Sequence, residues 1–117
     1  MTPDEELALV RKALTCGVNG CVLWKDDRTA LRVRSDSANQ GLTPVDIKSL
    51  LLEFVKEHPE AVKQRREQSP GQPMGFWYFV VLPLDGFRHG FFVKFILSDE
   101  DPEYPCVALV NAHPERR

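Results

Sequence analysis

A single-domain α+β fold, with N-terminal helices packed on a C-terminal antiparallel three-stranded β-meander, follows from three features of the sequence. Two segments of the first half each open on a hydroxyl residue, a proline and acids, and continue with apolar residues at helical spacing. From residue 76 onward the chain turns to aromatic and β-branched runs separated by Asp-Gly and Asp-Pro turns. A length of 117 residues, 43% of them hydrophobic, supplies one core over residues 1–117 and leaves none for a second domain.

In the first helix Thr2 is the cap, Pro3 takes the first turn, and Asp4, Glu5 and Glu6 face the positive end of the dipole. Leu7, Val10 and Leu14 form its apolar stripe and Gly17 stops it. Residues 21–34 admit two readings. Cys21-Val22-Leu23-Trp24 and Ala30-Leu31-Arg32-Val33 suit a hairpin across Lys25–Arg28, while Asp27 suits the cap of a helix running toward Ala38.

Thr43, Pro44 and Asp46 open the main helix, whose broad apolar face is Ile47, Leu50, Leu51, Phe54 and Val55. His58-Pro59 ends it, and Glu60–Glu67 reads as one more polar helical segment before a loop at Ser69–Pro73. Strands are expected at Phe76–Leu82, Gly90–Leu97 and Cys106–Val110, joined at Asp85-Gly86 and Asp99–Glu103. The chain then closes on the short basic tail His113–Arg117.

Net charge of −2 argues against a general affinity for nucleic acid or acidic membranes, so any anion site must be local. The odd number of cysteines, Cys16, Cys21 and Cys106, suits reduced thiols of the cytoplasm rather than a secreted disulfide framework. Their spacing lacks the pairs of a zinc ribbon, so no metal and no cofactor is expected. No apolar run reaches the length of a membrane span, and no membrane partner is expected. Phosphate loops and the common hydrolase motifs are missing as well.

Several residues could carry chemistry, each with a plainer alternative. Lys94 lies on the same side of its strand as Phe92 and Ile96, which suits anion binding or simply an outward lysine with a buried stem. Lys63, Arg65 and Arg66 could bind phosphate or form a solvated face with Glu60 and Glu67. Trp77 and Tyr78 occupy opposite faces, so one belongs to the core and the other is free to stack on a base. His113, at the exit of the last strand, could exchange a proton near neutral pH or be an inert surface group. Arg88 and His89, in the turn between the first two strands, carry the same two readings.

The order of these features resembles the MqsR family of bacterial toxins, relatives of the RelE-type mRNA interferases. The points of contact are Val10–Leu14 before a glycine, Ala30-Leu31 upstream of Gly41-Leu42-Thr43, Asp46, Ala61-Val62-Lys63, Trp77, the Phe92-Val93-Lys94 strand and Asn111-Ala112-His113. The resemblance favours the helical reading of residues 27–39. It implies a RelE/MqsR-like domain that cleaves single-stranded mRNA without metal, arrests growth in the cytoplasm and is neutralised by a cognate antitoxin. Lys63, Tyr78 and His113 would then be catalytic, with Lys94, Arg66, Arg88, His89 and Arg116 contacting RNA or phosphate. Where better-known members have a catalytic tyrosine in the second strand this chain has Phe92, which leaves Tyr78 in that role or the catalysis impaired. The competing expectation is a noncatalytic α+β module, of antitoxin, regulatory or phage-inhibitor type, that binds a protein through its aromatic sheet face or an edge strand.

Overall fold

Both predicted helix openings form as reciprocal caps. Thr2 Oγ1 accepts from the Glu5 amide at 3.1 Å while the Glu5 carboxylate accepts from the Thr2 amide at 3.2 Å, starting helix α1 (Pro3–Thr15). Thr43 and Asp46 repeat the arrangement, both bonds at 3.1 Å, at the start of helix α3 (Pro44–Glu57). The computed structural model describes residues 1–17, 21–67 and 75–116; the expected loop at 69–73 and the end of the tail, Arg117, lie outside them. Val10 and Leu14 of α1 and Ile47, Leu51 and Val55 of α3 are buried as their spacing predicts.

The ambiguous stretch is a strand followed by a helix. Strand β1 (Val22–Trp24) leads to helix α2 (Asp27–Ser35), and a short 3-10 turn covers Ser37–Asn39. The cap is Asp26, whose carboxylate accepts from the Thr29 amide at 2.7 Å, and not Asp27. Helix α2 buries Thr29 and Val33 and leaves Leu31 exposed, so the Val22 segment has no hairpin partner there and pairs elsewhere.

The expected helical segment at 60–67 is corrected. After a 3-10 turn at Pro59–Ala61 the chain forms strand β2 (Lys63–Arg66), antiparallel to strand β3 (Phe76–Leu82). Alternating use of long side chains explains it. Arg65 lies over the Phe79 ring on one face, while Gln64 bonds the Tyr78 hydroxyl and Arg66 covers Phe76 on the other. Strand β4 (Phe91–Asp99) follows, then strand β5 (Cys106–Pro114), longer than expected, so that His113 is inside a strand and not beyond one.

The three-stranded meander is therefore the middle of a five-stranded mixed sheet of order β1-β5-β4-β3-β2, with β1 parallel to β5. The helices pack on one face, against Tyr78, Val80, Leu82, Phe91, Val93, Phe95, Val107, Leu109 and Ala112. The opposite face is left half-exposed along β3, β4 and β5. Among the described residues no helix is long and apolar enough to cross a membrane.

The β3–β4 connection ends on Gly90, at φ +86°, where an added Cβ would meet Val81 Cγ1 at 2.6 Å and the Leu82 carbonyl oxygen at 2.9 Å. Gly41 has a similar φ of +84° but open space around it. Replacing Gly41 with alanine should cost about 1–2 kcal/mol for the left-handed backbone alone. Gly90→Ala should cost at least about 1 kcal/mol more, because a sheet contact must also move; urea denaturation of the two variants measures the difference. In the α3 cap, the Thr43 amide and then its hydroxyl hold Asp46 below the usual carboxylate range. A lowered native value adds stability that is full above the unfolded value and lost as pH falls through the native one. Thr43→Ala should lower the urea midpoint at pH 7 by removing the hydroxyl that accepts from the Asp46 amide, while most of the loss of stability as acid titrates Asp46 should persist, because alanine keeps the backbone amide that holds the carboxylate.

Candidate functional site

Strand alternation places Trp77, Phe79 and Val81 of β3 and Phe92, Lys94 and Ile96 of β4 on the half-exposed face. In β5 the same rule would send residues 111 and 113 to the core side with Val107 and Leu109. A β-bulge prevents this. Lys94 pairs with Asn111 but Phe95 pairs with Leu109, so Val110 is an extra residue and the alternation changes phase there. Ala112 is buried instead, and Asn111 and His113 emerge beside Lys94 and Phe92.

The result is a continuous row of rings across three strands. Centroids are 5.7 Å apart for Trp77 and Phe79, 5.4 Å for Phe79 and Phe92, and 4.9 Å for Phe92 and His113. Two cations rest on it: the Lys94 ammonium 4.6 Å from the Trp77 centroid and the Arg65 guanidinium 5.0 Å from that of Phe79. Part of the row lines a shallow cleft of about 470 Å³ bordered by Arg65, His89 and Glu115.

His113 is held in a defined ring orientation. Its Nδ1 lies 2.9 Å from the Pro114 carbonyl oxygen, which can only accept, so Nδ1 carries the hydrogen and donates it. In the neutral ring Nε2 then keeps its lone pair, as a base requires. A second cleft, about 330 Å³, adjoins this residue between α2 and β5 and is lined by Arg32, Asp36, Asn111 and Arg116. It exists because β1 is only three residues long, leaving β5 beyond Leu109 without a strand on that side. Arg32 spans part of the gap by donating to the Val110 carbonyl at 3.2 Å.

The expected site residues are thus divided. His113 and Arg116 share the second cleft, Lys94 lies on the same face with its ammonium over Trp77, and His89 borders the first cleft. Lys63 shares the open face but pairs with Phe79, on the far side of β3 and β4 from His113. Three strand spacings separate them, about 14 Å, and the Lys63 ammonium bonds the Glu60 carbonyl at 3.3 Å. Arg66 covers Phe76 at the sheet edge on the helix side, and Arg88 borders the β3–β4 turn.

Tyr78 lies on the opposite face from His113. Its ring is 0% exposed and stacks near Phe95, its hydroxyl accepts from Gln64 at 3.1 Å, and burial pushes its ionisation well above the ordinary tyrosine range. It is a core residue with a satisfied hydroxyl. Arg65, expected with Lys63 and Arg66 as a phosphate group, sits on the ring row, whereas Phe79 and Arg32 were not among the expected site residues. The alternation of β3 contains the signal for Phe79, whereas nothing local marks Arg32, which arrives through the packing of α2. Comparison of the chain with family models, curated proteins and solved structures finds no match.

Tyr78→Phe should destabilise the fold by about 0.5–1.5 kcal/mol through loss of one hydrogen bond. Lys94→Ala, on the open face, should stay within about 1 kcal/mol of wild type. Chemical denaturation followed by circular dichroism distinguishes the two positions.

Proposed function

We propose that the open sheet face binds single-stranded RNA and that the chain is a metal-independent endoribonuclease with His113 as its proton acceptor. The observation that carries this reading is the ring row ending on His113. Bases stack on rings irrespective of sequence, and a sheet presenting several rings with interspersed cations is a surface suited to a single strand. Lys94 and Arg65 sit on ring faces, where they can turn to phosphates that pass between stacked bases.

At the His113 corner the chemistry needs only groups of this chain and a proton from solvent. Nε2 takes the proton of a ribose 2′-hydroxyl, and the oxygen attacks the adjacent phosphorus. The 5′-oxygen leaves with a proton from solvent, giving a 2′,3′-cyclic phosphate. Arg116 and the donors of Arg32 not used on Val110 border the cleft where negative charge would develop on phosphorus. Lys63 and Tyr78 have no part in this scheme, and Phe92 serves as a stacking base for His113 in place of a hydroxyl. A protein that covered the same face, as an antitoxin would, blocks the activity. The acidic net charge limits binding to this local surface and makes it sensitive to salt.

The test uses the purified full chain with EDTA and a fluorescein-labelled oligoribonucleotide. Wild type should produce cyclic-phosphate ends. The 2′-deoxy analogue should bind without being cut. His113→Ala should lower cleavage roughly 100-fold or more with affinity changed less than about threefold, while Phe92→Ala should weaken binding of the uncleavable analogue about tenfold, as loss of a stacking ring does. Absence of both cleavage and binding by wild type overturns the proposal in favour of a protein-docking face. Binding without cleavage removes the catalytic half.

A further inference from the structure

The cysteines, distant in sequence, meet at one place. Cys16 ends α1, Cys21 stands immediately before β1, and Cys106 opens β5. Strands β1 and β5 run parallel with Val22 beside Val107, and the Val107 amide donates to the Cys21 carbonyl at 2.8 Å. Cys21 and Cys106 are therefore neighbours one step back along the same two chains. Adjacent strands lie about 4.8 Å apart, within the Cα separation of about 4.4–6.8 Å that a disulfide spans. The thiols of Cys16 and Cys106 both lie near enough to act on the ionisation of the Cys21 thiol.

Exposure differs along the trio. Cys21 is 2% exposed, Cys106 is half-buried and Cys16 is exposed. All are in the thiol form, and among the described residues they are not placed to hold a metal ion. Burial pushes the Cys21 thiol up to about 11, so the inner sulfur is protonated at neutral pH and is not the one that first attacks an oxidant. An outer sulfur oxidised at this site would have the Cys21 thiol as its neighbour.

We propose that Cys16, Cys21 and Cys106 form a peroxide-responsive thiol site in which Cys21 resolves oxidation of either neighbour into a single disulfide and leaves the third cysteine reduced. An outer thiolate attacks a hydroperoxide, the O–O bond breaks, and the sulfur becomes a sulfenic acid while the peroxide is reduced. The Cys21 sulfur then attacks the sulfenic sulfur. The S–O bond breaks, the S–S bond forms, and the departing hydroxide takes the Cys21 proton as water. Two thiols and one hydroperoxide give one disulfide, one water and the hydroxyl product of the peroxide. The chemistry is independent of what the open sheet face binds.

The experiment treats the folded full chain with hydrogen peroxide, alkylates remaining thiols and maps peptides without reduction by mass spectrometry. Wild type should yield an intramolecular disulfide that contains Cys21, with the remaining cysteine alkylated. Cys16→Ser should form only the Cys21–Cys106 bond, and Cys106→Ser only the Cys16–Cys21 bond. Cys21→Ser should form neither and carry Cys16 or Cys106 on to sulfinic acid. Full alkylation of all three cysteines in oxidised wild type overturns the proposal. So does a Cys16–Cys106 bond, a bond between chains, or sulfinic acid without a disulfide. The wild-type map decides the matter even where a variant fails to fold.

Discussion

The one extra residue in β5 determines what the open face contains. The twofold alternation of a strand is strict, so a sequence running Val107, Leu109, Asn111, His113 would bury all four side chains together or expose all four. Neither outcome is physically acceptable, since two are core residues and two are polar groups without core partners. The bulge at Val110 changes phase between the two pairs. It lets one strand seal the core with its first half and present Asn111 and His113 with its second. The ring row, the oriented imidazole and the adjacent cleft all depend on that change.

The sheet divides its labour by face. Its covered side holds the buried apolar residues of the helices and strands in one cluster. Its open side is made of large rings that are only half-buried, with cations over them. Rings so arranged contribute less apolar burial than the fold could achieve, because a further layer on that face would remove more of their area from water. The edges are handled differently from the faces. Strand β2 carries Lys63, Gln64, Arg65 and Arg66, whose charge discourages another strand from pairing there, and β1 is kept to three residues.

Legibility in the sequence follows the range of the interactions involved. The caps of α1 and α3 are complete within four residues, and their hydroxyl, proline and acid pattern is visible at once. Strands β3 and β4 are long and rich in aromatic and β-branched residues, and their alternation puts Trp77 and Tyr78 on opposite faces without saying which is core; the packing of the helices makes it Tyr78. By contrast, β1 and β2 are short and take their conformation from partners 85 and 16 residues away, counting Val22 to Val107 and Lys63 to Phe79. Lys63–Arg66 has the composition of a polar helix, and only its pairing with Phe76–Phe79 makes it a strand. The bulge leaves no local mark, so the position of His113 could be named as interesting but not placed on a face. The contact of Cys21 with Cys16 and Cys106 was likewise hidden, because sequence spacing is a poor guide when a parallel crossover brings the ends together.

That crossover also sets the order in which the molecule can be completed. Strand β5 lies between β1 and β4, so β1, although it is the first strand in the chain, has nothing to pair with until β5 is in place. During synthesis from the N-terminus, the α1, α2 and α3 faces and the β3–β4 hairpin can form earlier, but the place between β1 and β4 stays vacant. Closure then requires contacts of long sequence separation, which form late and slowly. The chain would accordingly pass through a stage with two unpaired inner edges and an incompletely covered core, a stage at which a chaperone or a tightly binding partner has the most to hold.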